Sequence, residues 1–453
     1  MDKSEFKAKE MNMMKNLDEE EGLLMKEKDR IWKLPGQPKV RFSQYGGYVS
    51  VDEEAGRAFF YYFVQAQRNK DSLPLLIWLN GGPGCSSLAY GAMQELGPFR
   101  VNSDGKTLFK NRYPWNYFAN VLFVESPAGV GFSYSNTSSD YNTNGDKKTA
   151  ADNYAFLVNW LKRFPEYKSR DLYITGESYA GHYVPQFAHT ILQHNTLPNN
   201  TFINLKGIMI GNAVINDETD TRGMYEFLGS HAIISDSTVK AIEKFCDLSP
   251  NATEQGKECN AAIDEAGEDV GNIDIYNIYG PLCMNPNLTA TPKPNSIIID
   301  PCSDYYVSAY LNRDDVQKAL HANVTKLKYE WSPCSDVITK WNDSPSTILP
   351  LLQEFLNHGL RVWIFSGDVD GRVPVTSTLY SINNMNLEVT TPWHPWFFNG
   401  EVGGYTQVYK GNLTFATVRG AGHQVPSFQP ARALSLIKHF LDGTSLPNTK
   451  RYY

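Results

Sequence analysis

Residues 176–181, with the sequence Gly-Glu-Ser-Tyr-Ala-Gly, constrain this chain more than any other stretch. An apolar run at 172–175 precedes them, and an amphipathic stretch at 182–192 follows. A G-x-S-x-G sequence between a strand and a helix forms a sharp turn, which lifts the serine oxygen clear of the backbone at the helix N-terminus. The pattern therefore predicts a nucleophile at Ser178; the alternative is a chance glycine-rich turn.

Six apolar runs predict the core of the fold. They lie at 73–79, 121–124, 172–174, 205–210, 362–365 and 413–418. Hydrophobicity that is continuous rather than alternating indicates burial on both faces, as in a parallel sheet covered by helices. Apolar residues at helical spacing in 154–164 and 434–441 predict two of the covering helices. We therefore expect an α/β fold with a central, mostly parallel sheet, preceded by a hairpin of residues 47–51 and 58–63.

Candidate partners for the serine lie in the turns that follow these runs, where α/β sheets bind their ligands. A nucleophilic serine needs a histidine base and an acid, which follow it in the order Ser, Asp or Glu, His. His423 lies in a glycine-rich loop after the last run; the competitors are His394, in a Pro/Trp loop, and His439, inside a helix. The acid is Asp368 or Asp370, and spacing alone does not choose between them.

An oxyanion site needs two backbone N–H groups near the serine. One usually belongs to the residue after the nucleophile, here Tyr179, and the other to a loop after an early strand. Residues 80–84, Asn-Gly-Gly-Pro-Gly, are the only early glycine cluster after a buried run, which points to Gly82. A plain tight turn is the alternative for this cluster.

Composition excludes some classes of protein and favours a secretory one. A net charge of −7 provides no basic field for nucleic acid, and no stretch has the length of a transmembrane helix or reads as a signal peptide. The even number of cysteines permits three disulfides, and none of them has metal-ligand spacing, so we expect no metal and no cofactor. Glycosylation sequons begin at Asn136, Asn199, Asn251, Asn287, Asn323, Asn342 and Asn412. Cysteines and sequons together favour an oxidising, secretory route.

The chain divides into four parts. Residues 1–28 are polar and Met-rich, which predicts a frayed helix or disorder, in an unstructured or non-native extension. Residues 29–216 and 309–453 hold the apolar runs and form the two parts of the α/β core. Residues 217–308 are acidic, hold four of the six cysteines and lack a comparable run, so we expect an inserted, mainly helical cap with an exposed loop at 286–294.

Four ordered motifs give the chain a family resemblance. Residues 78–87, 125–134, 176–181 and 422–426 resemble the serine carboxypeptidases, the plant members above all, and the match runs from about Asp29 to the C-terminus. The resemblance implies an α/β-hydrolase fold and a serine exopeptidase that acts on peptides with a free C-terminal carboxylate. It also implies an extracellular or vacuolar location, and a homodimer is plausible from the family alone.

The resemblance implies roles for several residues. The second aspartate of Gly-Asp-x-Asp, Asp370, orients the histidine, and Asn80, Gly81, Glu95 and Glu177 bind the substrate carboxylate. Two ionised glutamates would repel a carboxylate, but like charges in a buried site raise pKa values, so both glutamates can be protonated and donate hydrogen bonds. An acid pH optimum follows.

The resemblance also bears on covalent structure and specificity. It implies the disulfide pairs Cys85 with Cys334, Cys246 with Cys259, and Cys283 with Cys302. Residues 286–294 resemble the linker at which some relatives are cut into two chains. Gln424 follows the histidine where relatives that prefer basic side chains often carry glutamate, which puts a basic preference at the penultimate substrate position in doubt.

Three other functions compete with the exopeptidase. An acyltransferase that uses glucose esters shares the fold and the triad, but plant acyltransferases of this type tend to carry aspartate in place of Glu177 and to lose Asn80. Both residues are present here, which favours the peptidase. A lyase of the same fold is a third reading. A non-catalytic binding glycoprotein would show a broken triad, and this triad is intact.

Overall fold

A computed structural model of the chain describes residues 20–198, 200–252, 254–294 and 296–450. The strands are β1 (Arg30–Ile31), β2 (Gln44–Asp52), β3 (Arg57–Val64), β4 (Leu75–Leu79), β5 (Phe99–Val101), β6 (Leu108–Lys110), β7 (Asn120–Val124), β8 (Tyr134–Ser135), β9 (Leu172–Glu177), β10 (Leu205–Gly211), β11 (Arg361–Gly367), β12 (Val389–Phe398), β13 (Glu401–Tyr409) and β14 (Leu413–Val418). The helices are α1 (20–28), α2 (Asp146–Arg163), α3 (Ala180–Asn195), α4 (Asp217–Ser230), α5 (Asp236–Phe245), α6 (Lys257–Val270), α7 (Ser303–Leu311), α8 (Asp314–Leu320), α9 (Leu349–Asn357), α10 (Val375–Asn384), α11 (Val425–Phe428) and α12 (Pro430–Asp442). Leu88–Glu95 form a π-helical segment.

The central sheet has the strand order β1-β2-β3-β7-β4-β9-β10-β11-β14-β13-β12. The six inner strands run parallel to one another; they are β7, β4, β9, β10, β11 and β14. The outer strands on both sides pair antiparallel. The six predicted apolar runs coincide with the six inner strands, and the expected α/β fold with a mostly parallel central sheet is confirmed.

Helices cover both faces of the sheet. Side chains alternate along each inner strand, so that Trp78 of β4 packs into an apolar cluster on one face and Ile77 into a cluster on the other. Helices α2, α3, α9 and α10 contribute to one cluster, and α7, α8 and α12 to the other. Since both faces are buried, functional groups can reach solvent only at the strand ends.

The part of the N-terminal extension that the structure describes is helical rather than unstructured. Helix α1 packs on the end of α2, where a Cβ on Gly22 would lie 2.3 Å from the Lys162 carbonyl oxygen. The Lys26 ammonium pairs with the Glu166 carboxylate and lies 5.4 Å from the centroid of the Phe164 ring. These contacts to the core stabilise residues 20–28 as a helix, which was one of the two alternatives that their composition suggested. Residues 1–19 lie outside the described ranges.

Strands β12 and β13 were not predicted. His394 lies on β12, whereas the sequence suggested a loop for it. Proline is tolerated on β12 because this strand is the edge of the sheet, and Pro392 and Pro395 lie on it. Two register shifts interrupt its pairing with β13 before His394, which hides the alternation that would have predicted a strand.

The expected cap, residues 217–308, is helical only in part. Helices α4, α5 and α6 occupy residues 217–270, and a small apolar cluster holds them together. Described residues in 271–302 form neither helix nor strand, in contrast to the mainly helical cap that we expected, because prolines recur along this stretch. The disulfides join Cys85 to Cys334, Cys246 to Cys259 and Cys283 to Cys302, as the resemblance implies. Among the described helices, none has the length and apolarity needed to cross a bilayer.

Candidate active site

Ser178 occupies the turn between β9 and α3 with a left-handed backbone, φ 63°. Such a conformation is unfavourable for a residue with a side chain, and surrounding hydrogen bonds must hold it. The Ser178 N–H donates to the Gly211 carbonyl at 3.0 Å, and the Val214 N–H donates to the Ser178 carbonyl at 3.0 Å. The end of β10 thus fixes the serine turn.

The two glycines that flank the serine leave no room for a side chain. A Cβ on Gly176 would lie 2.5 Å from the Leu79 carbonyl oxygen, and one on Gly181 would lie 2.2 Å from the Val214 carbonyl oxygen. Both neighbours are backbone atoms and cannot move aside cheaply. The glycines at these positions are therefore required by the approach of β4 and of the chain after β10.

The structure brings His423 against Asp370 and not against Asp368. The His423 Nδ1 lies 2.7 Å from Asp370 Oδ2, and the Asp370 side chain is fully buried. The Asp368 carboxylate instead accepts the Gly420 N–H at 2.6 Å, which closes the turn before the histidine loop. A carboxylate beside Nδ1 favours a proton on that nitrogen and leaves Nε2 free to act as a base.

Asn212, directly after β10, positions the aspartate, and the sequence analysis missed it. Its Nδ2 donates to Asp370 Oδ2 at 2.8 Å, while its Oδ1 accepts the Gly367 N–H at 3.1 Å. The Arg372 N–H donates to the other oxygen, Asp370 Oδ1, at 2.8 Å. The available signal was that Asn212 follows one of the two apolar runs whose C-terminal ends had been given no site residue.

Asn80, after β4, links the two glutamates. Its Nδ2 donates to Glu95 Oε1 at 2.9 Å and to Glu177 Oε1 at 3.1 Å. Its Oδ1 accepts the Trp78 indole N–H at 2.7 Å and the Gly91 N–H at 3.1 Å. Because two donors hold Oδ1, the amide has one orientation, with its NH₂ towards the carboxyl groups.

Both glutamates are protonated more readily than an exposed carboxyl group. Burial raises the pKa of Glu95, and burial together with the neighbouring charge of Glu95 raises the pKa of Glu177 well above its usual value. In each residue the second oxygen, Oε2, accepts from no donor among the described residues, and the two carboxyl groups lie close enough for one to donate to the other once it is protonated. A protonated carboxyl group in this place can donate a hydrogen bond to a ligand oxygen.

The early glycine loop lies directly against the serine turn. A Cβ on Gly81 would lie 2.3 Å from the Tyr179 backbone nitrogen, and Gly82 has φ 109°. Cys85 pairs with Cys334 both as a disulfide and as an antiparallel bridge, which holds the loop from its far side. The loop is thus fixed directly beside the backbone of the serine turn.

A second polar network holds Tyr179 by its side-chain hydroxyl, whereas the glycine loop lies against its backbone nitrogen. The fully buried Asp146 carboxylate accepts the Tyr179 hydroxyl at 3.0 Å and the Trp341 indole N–H at 2.9 Å. It also accepts Gln186 Nε2 at 2.7 Å and faces His182 Nδ1 at 3.0 Å. His182 therefore packs in a structural network, as its place one turn after the serine suggested.

One cavity of about 680 Å³ joins these groups. Its lining includes Asn80, Gly81, Gly82, Glu177, Ser178, Tyr179 and His423. The segment before the Cys283–Cys302 loop closes one side, where the Tyr276 carbonyl accepts the His423 N–H at 2.7 Å and the Ile275 carbonyl accepts the Gly371 N–H at 2.8 Å. Across the described ranges, no three or more His, Cys, Asp or Glu side chains are grouped to hold a metal ion.

The predicted sequons differ in exposure. The exposed ones among the described residues are Asn136, Asn251, Asn287, Asn342 and Asn412. Asn323 is half-buried, and its Nδ2 donates to Gln317 Oε1 at 2.9 Å. Asn199 lies outside the described residues. Glycosylation of these sites stays a prediction.

A family model described as serine carboxypeptidase matches residues 35–443. The chain belongs to the serine carboxypeptidase family. Similar family members include serine carboxypeptidase-like 40 of Arabidopsis thaliana, 64% identical over all of this chain and 90% of that protein. Serine carboxypeptidase 24 of the same plant is 51% identical over 93% of this chain and 94% of its own length.

A solved structure with the family's fold also matches. Kex1(delta)p, described as a prohormone-processing carboxypeptidase from Saccharomyces cerevisiae, superposes with a TM-score of 0.78 at 26% identity, over 92% of this chain and 96% of that one. The alignment with the 64% identical relative extends over residues 1–28 as well, whereas the family model begins at residue 35. Plant relatives and three disulfides together indicate a secretory-pathway protein.

Proposed function

We propose that this family member removes C-terminal residues from peptides at acid pH through an acyl-enzyme. The observation that carries the proposal is the bridge that Asn80 makes between Glu95 and Glu177 beside Ser178. Protonated carboxyl groups, which can donate hydrogen bonds at acid pH, suit a carboxylate ligand, whereas a buried ionised pair would repel it. A serine hydrolase without a requirement for a free carboxylate has no use for such a group.

The residues around Ser178 act one after another in the reaction. Ser178 Oγ attacks the carbonyl carbon of the last peptide bond while His423 Nε2 takes the serine proton. Asp370 holds the histidine tautomer, and the Gly82 and Tyr179 N–H groups bind the oxyanion. His423 then donates the proton to the leaving amine, and the free amino acid departs. Water, deprotonated by His423, cleaves the acyl ester and restores Ser178.

The substrates and location follow from the same site. Peptides with a free C-terminal carboxylate are the expected substrates, and a secretory compartment of acid pH, extracellular or vacuolar, is the expected location. The solved relative named as a prohormone-processing carboxypeptidase supports peptide substrates. Retention of Asn80 and Glu177 supports peptide cleavage over acyl transfer from glucose esters.

The test is release of the free amino acid from an N-blocked dipeptide, scanned from acid to neutral pH. We expect rapid release at acid pH by the parent protein, none by Ser178→Ala, and poor cleavage of the matching dipeptide amide. Equal cleavage of acid and amide would refute the carboxylate site. No release from the dipeptide, together with labelling of Ser178 by a fluorophosphonate and turnover of a glucose ester, would instead assign acyl transfer.

A further inference from the structure

Two adjoining cavities outside the active site are lined by several basic residues. The larger measures about 680 Å³ and the smaller about 190 Å³, and they share Lys110 and Asn111. Neither shares a lining residue with the active-site cavity. We call the two together the cationic groove, after its charged lining residues. These are Lys39, Arg41, Arg68, Arg100, Lys110 and Arg112.

The charge of the groove is not neutralised by the protein. Among the residues that the structure describes, no acidic one lines either cavity, although the chain as a whole carries a net charge of −7. Its five exposed cations form no ion pair with any carboxylate that the structure describes. Like charges lined up without partners repel one another and lower stability unless an anion binds. The groove therefore has the electrostatics of a binding surface for an extended anion.

Arg100, at the inner end of the groove, gives independent support. It is only 5% exposed, and its guanidinium donates to the carbonyls of Ile297 at 2.8 Å and Pro426 at 3.3 Å, with no carboxylate bonded to it. Its Nε has no hydrogen-bond partner in the described structure, and burial lowers its pKa to about 10. The charge of Glu95 offsets this only in part, so Arg100 is a buried charge without a hydrogen-bonded carboxylate, and a bound anion nearby would lower its cost further.

The aromatic lining residues and the secretory route of the chain both indicate which class of anion would bind the groove. Phe42 and Tyr117 line the larger cavity, and Phe109 and Tyr113 the smaller one. Such rings give flat apolar faces on which sugar rings can stack between the cations. Of the two expected locations of this disulfide-bonded chain, the extracellular one offers acidic polysaccharides as anionic polymers, and not nucleic acids.

We propose that the cationic groove binds a linear polysaccharide whose sugars carry carboxylate groups. The cations pair with the carboxylates, and the rings contact the sugar faces. Because the active-site cavity has a separate lining, a polymer in the groove leaves the serine open to substrate and anchors the protein to an acidic matrix. The proposal does not depend on the peptidase function.

The test is retardation in native gels that contain polygalacturonate, compared with gels that contain neutral dextran. We expect retardation by polygalacturonate only, and its loss as salt rises, because screening weakens exposed ion pairs. The double variant Lys110→Gln/Arg112→Gln should bind about tenfold more weakly, as removal of two exposed ion pairs predicts. The matched variant Lys257→Gln/Lys318→Gln removes the same charge from exposed helical positions outside the groove, and should bind like the parent.

Three results would overturn the proposal. The matched variant could weaken binding as much as the groove variant, which would reduce the effect to net charge. Dextran could retard the protein equally, which would remove the role of the carboxylates. Polyglutamate of equal chain length could bind more tightly than polygalacturonate, which would make an acidic polypeptide the partner. The circular dichroism spectrum and the urea midpoint of unfolding should be the same in all variants, which shows that each one is folded.

Discussion

Replacing Glu177 with glutamine keeps the shape of the proposed carboxylate site but removes the group that gains and loses a proton. The Glu177 Oε1 accepts a hydrogen bond from Asn80 at 3.1 Å, and its Oε2 accepts from no donor among the described residues. A glutamine keeps the acceptor for Asn80 and places an NH₂ where Oε2 lies. This variant therefore has a donor for the substrate carboxylate at every pH, whereas the parent has one only while Glu177 holds its proton.

The sign of the pH effect follows from the raised pKa. Burial raises the pKa of Glu177 well above the usual value, so the parent keeps the donor in acid and loses it as the pH rises through that pKa. A hydrogen bond to a charged group contributes about 1.5–3 kcal/mol, so its loss should raise KM by about tenfold to about 150-fold. In Glu177→Gln the rise should be smaller, and in Glu95→Gln/Glu177→Gln KM should not change with pH.

The assay is KM for an N-blocked dipeptide, measured at acid, neutral and mildly alkaline pH for the parent and both variants. An ester substrate without a carboxylate is the control, because its KM should lack this dependence in all three proteins. If the parent and the double variant show the same rise in KM with pH, the protonated-glutamate account is wrong.

Three further substitutions test the supports of the site. Asn212→Ala removes a donor to Asp370, so kcat for the dipeptide should fall about tenfold to a hundredfold with little change in KM; a change in KM alone would contradict the positioning role. Asp146→Asn leaves buried donors unpaired, so the free energy of unfolding in urea should fall by about 2–4 kcal/mol, and an unchanged midpoint would contradict this. Gly81→Ala places a Cβ 2.3 Å from the Tyr179 nitrogen, so kcat should fall more than about a hundredfold with an unchanged circular dichroism spectrum; near-parental activity would show that the loop can move.

The inner sheet could be predicted because each of its strands is buried on both faces. Such strands are continuous apolar runs, and the run at 413–418 coincides with β14 residue for residue. The outer hairpin of β12 and β13 could not be predicted in the same way. β12 is largely exposed, contains two prolines and pairs with register shifts, so no apolar period distinguishes it from a loop.

Site residues could be predicted from the sequence where they lie in the loop that follows a buried strand. Ser178 and His423 each follow a buried run, and the structure brings their loops to one cavity. The choice between Asp368 and Asp370 was different, because both belong to one turn and only the direction of the side chain separates them. Asn212 was missed because a hydrogen bond from its side chain to another loop leaves no local pattern in the sequence.

Pairing between the cap segment and the catalytic loops explains how a site assembled from distant parts of the chain stays aligned. The loops that carry Asp370 and His423 follow β11 and β14, and the sheet fixes only their starting points. Beyond the sheet, Ile275 accepts from Gly371 and Tyr276 accepts from His423, so one short segment binds both loops through backbone atoms. Backbone hydrogen bonds do not depend on side-chain identity. The alignment of the proposed triad can therefore persist while the side chains around the cavity change, which separates the chemistry of the site from its substrate preference.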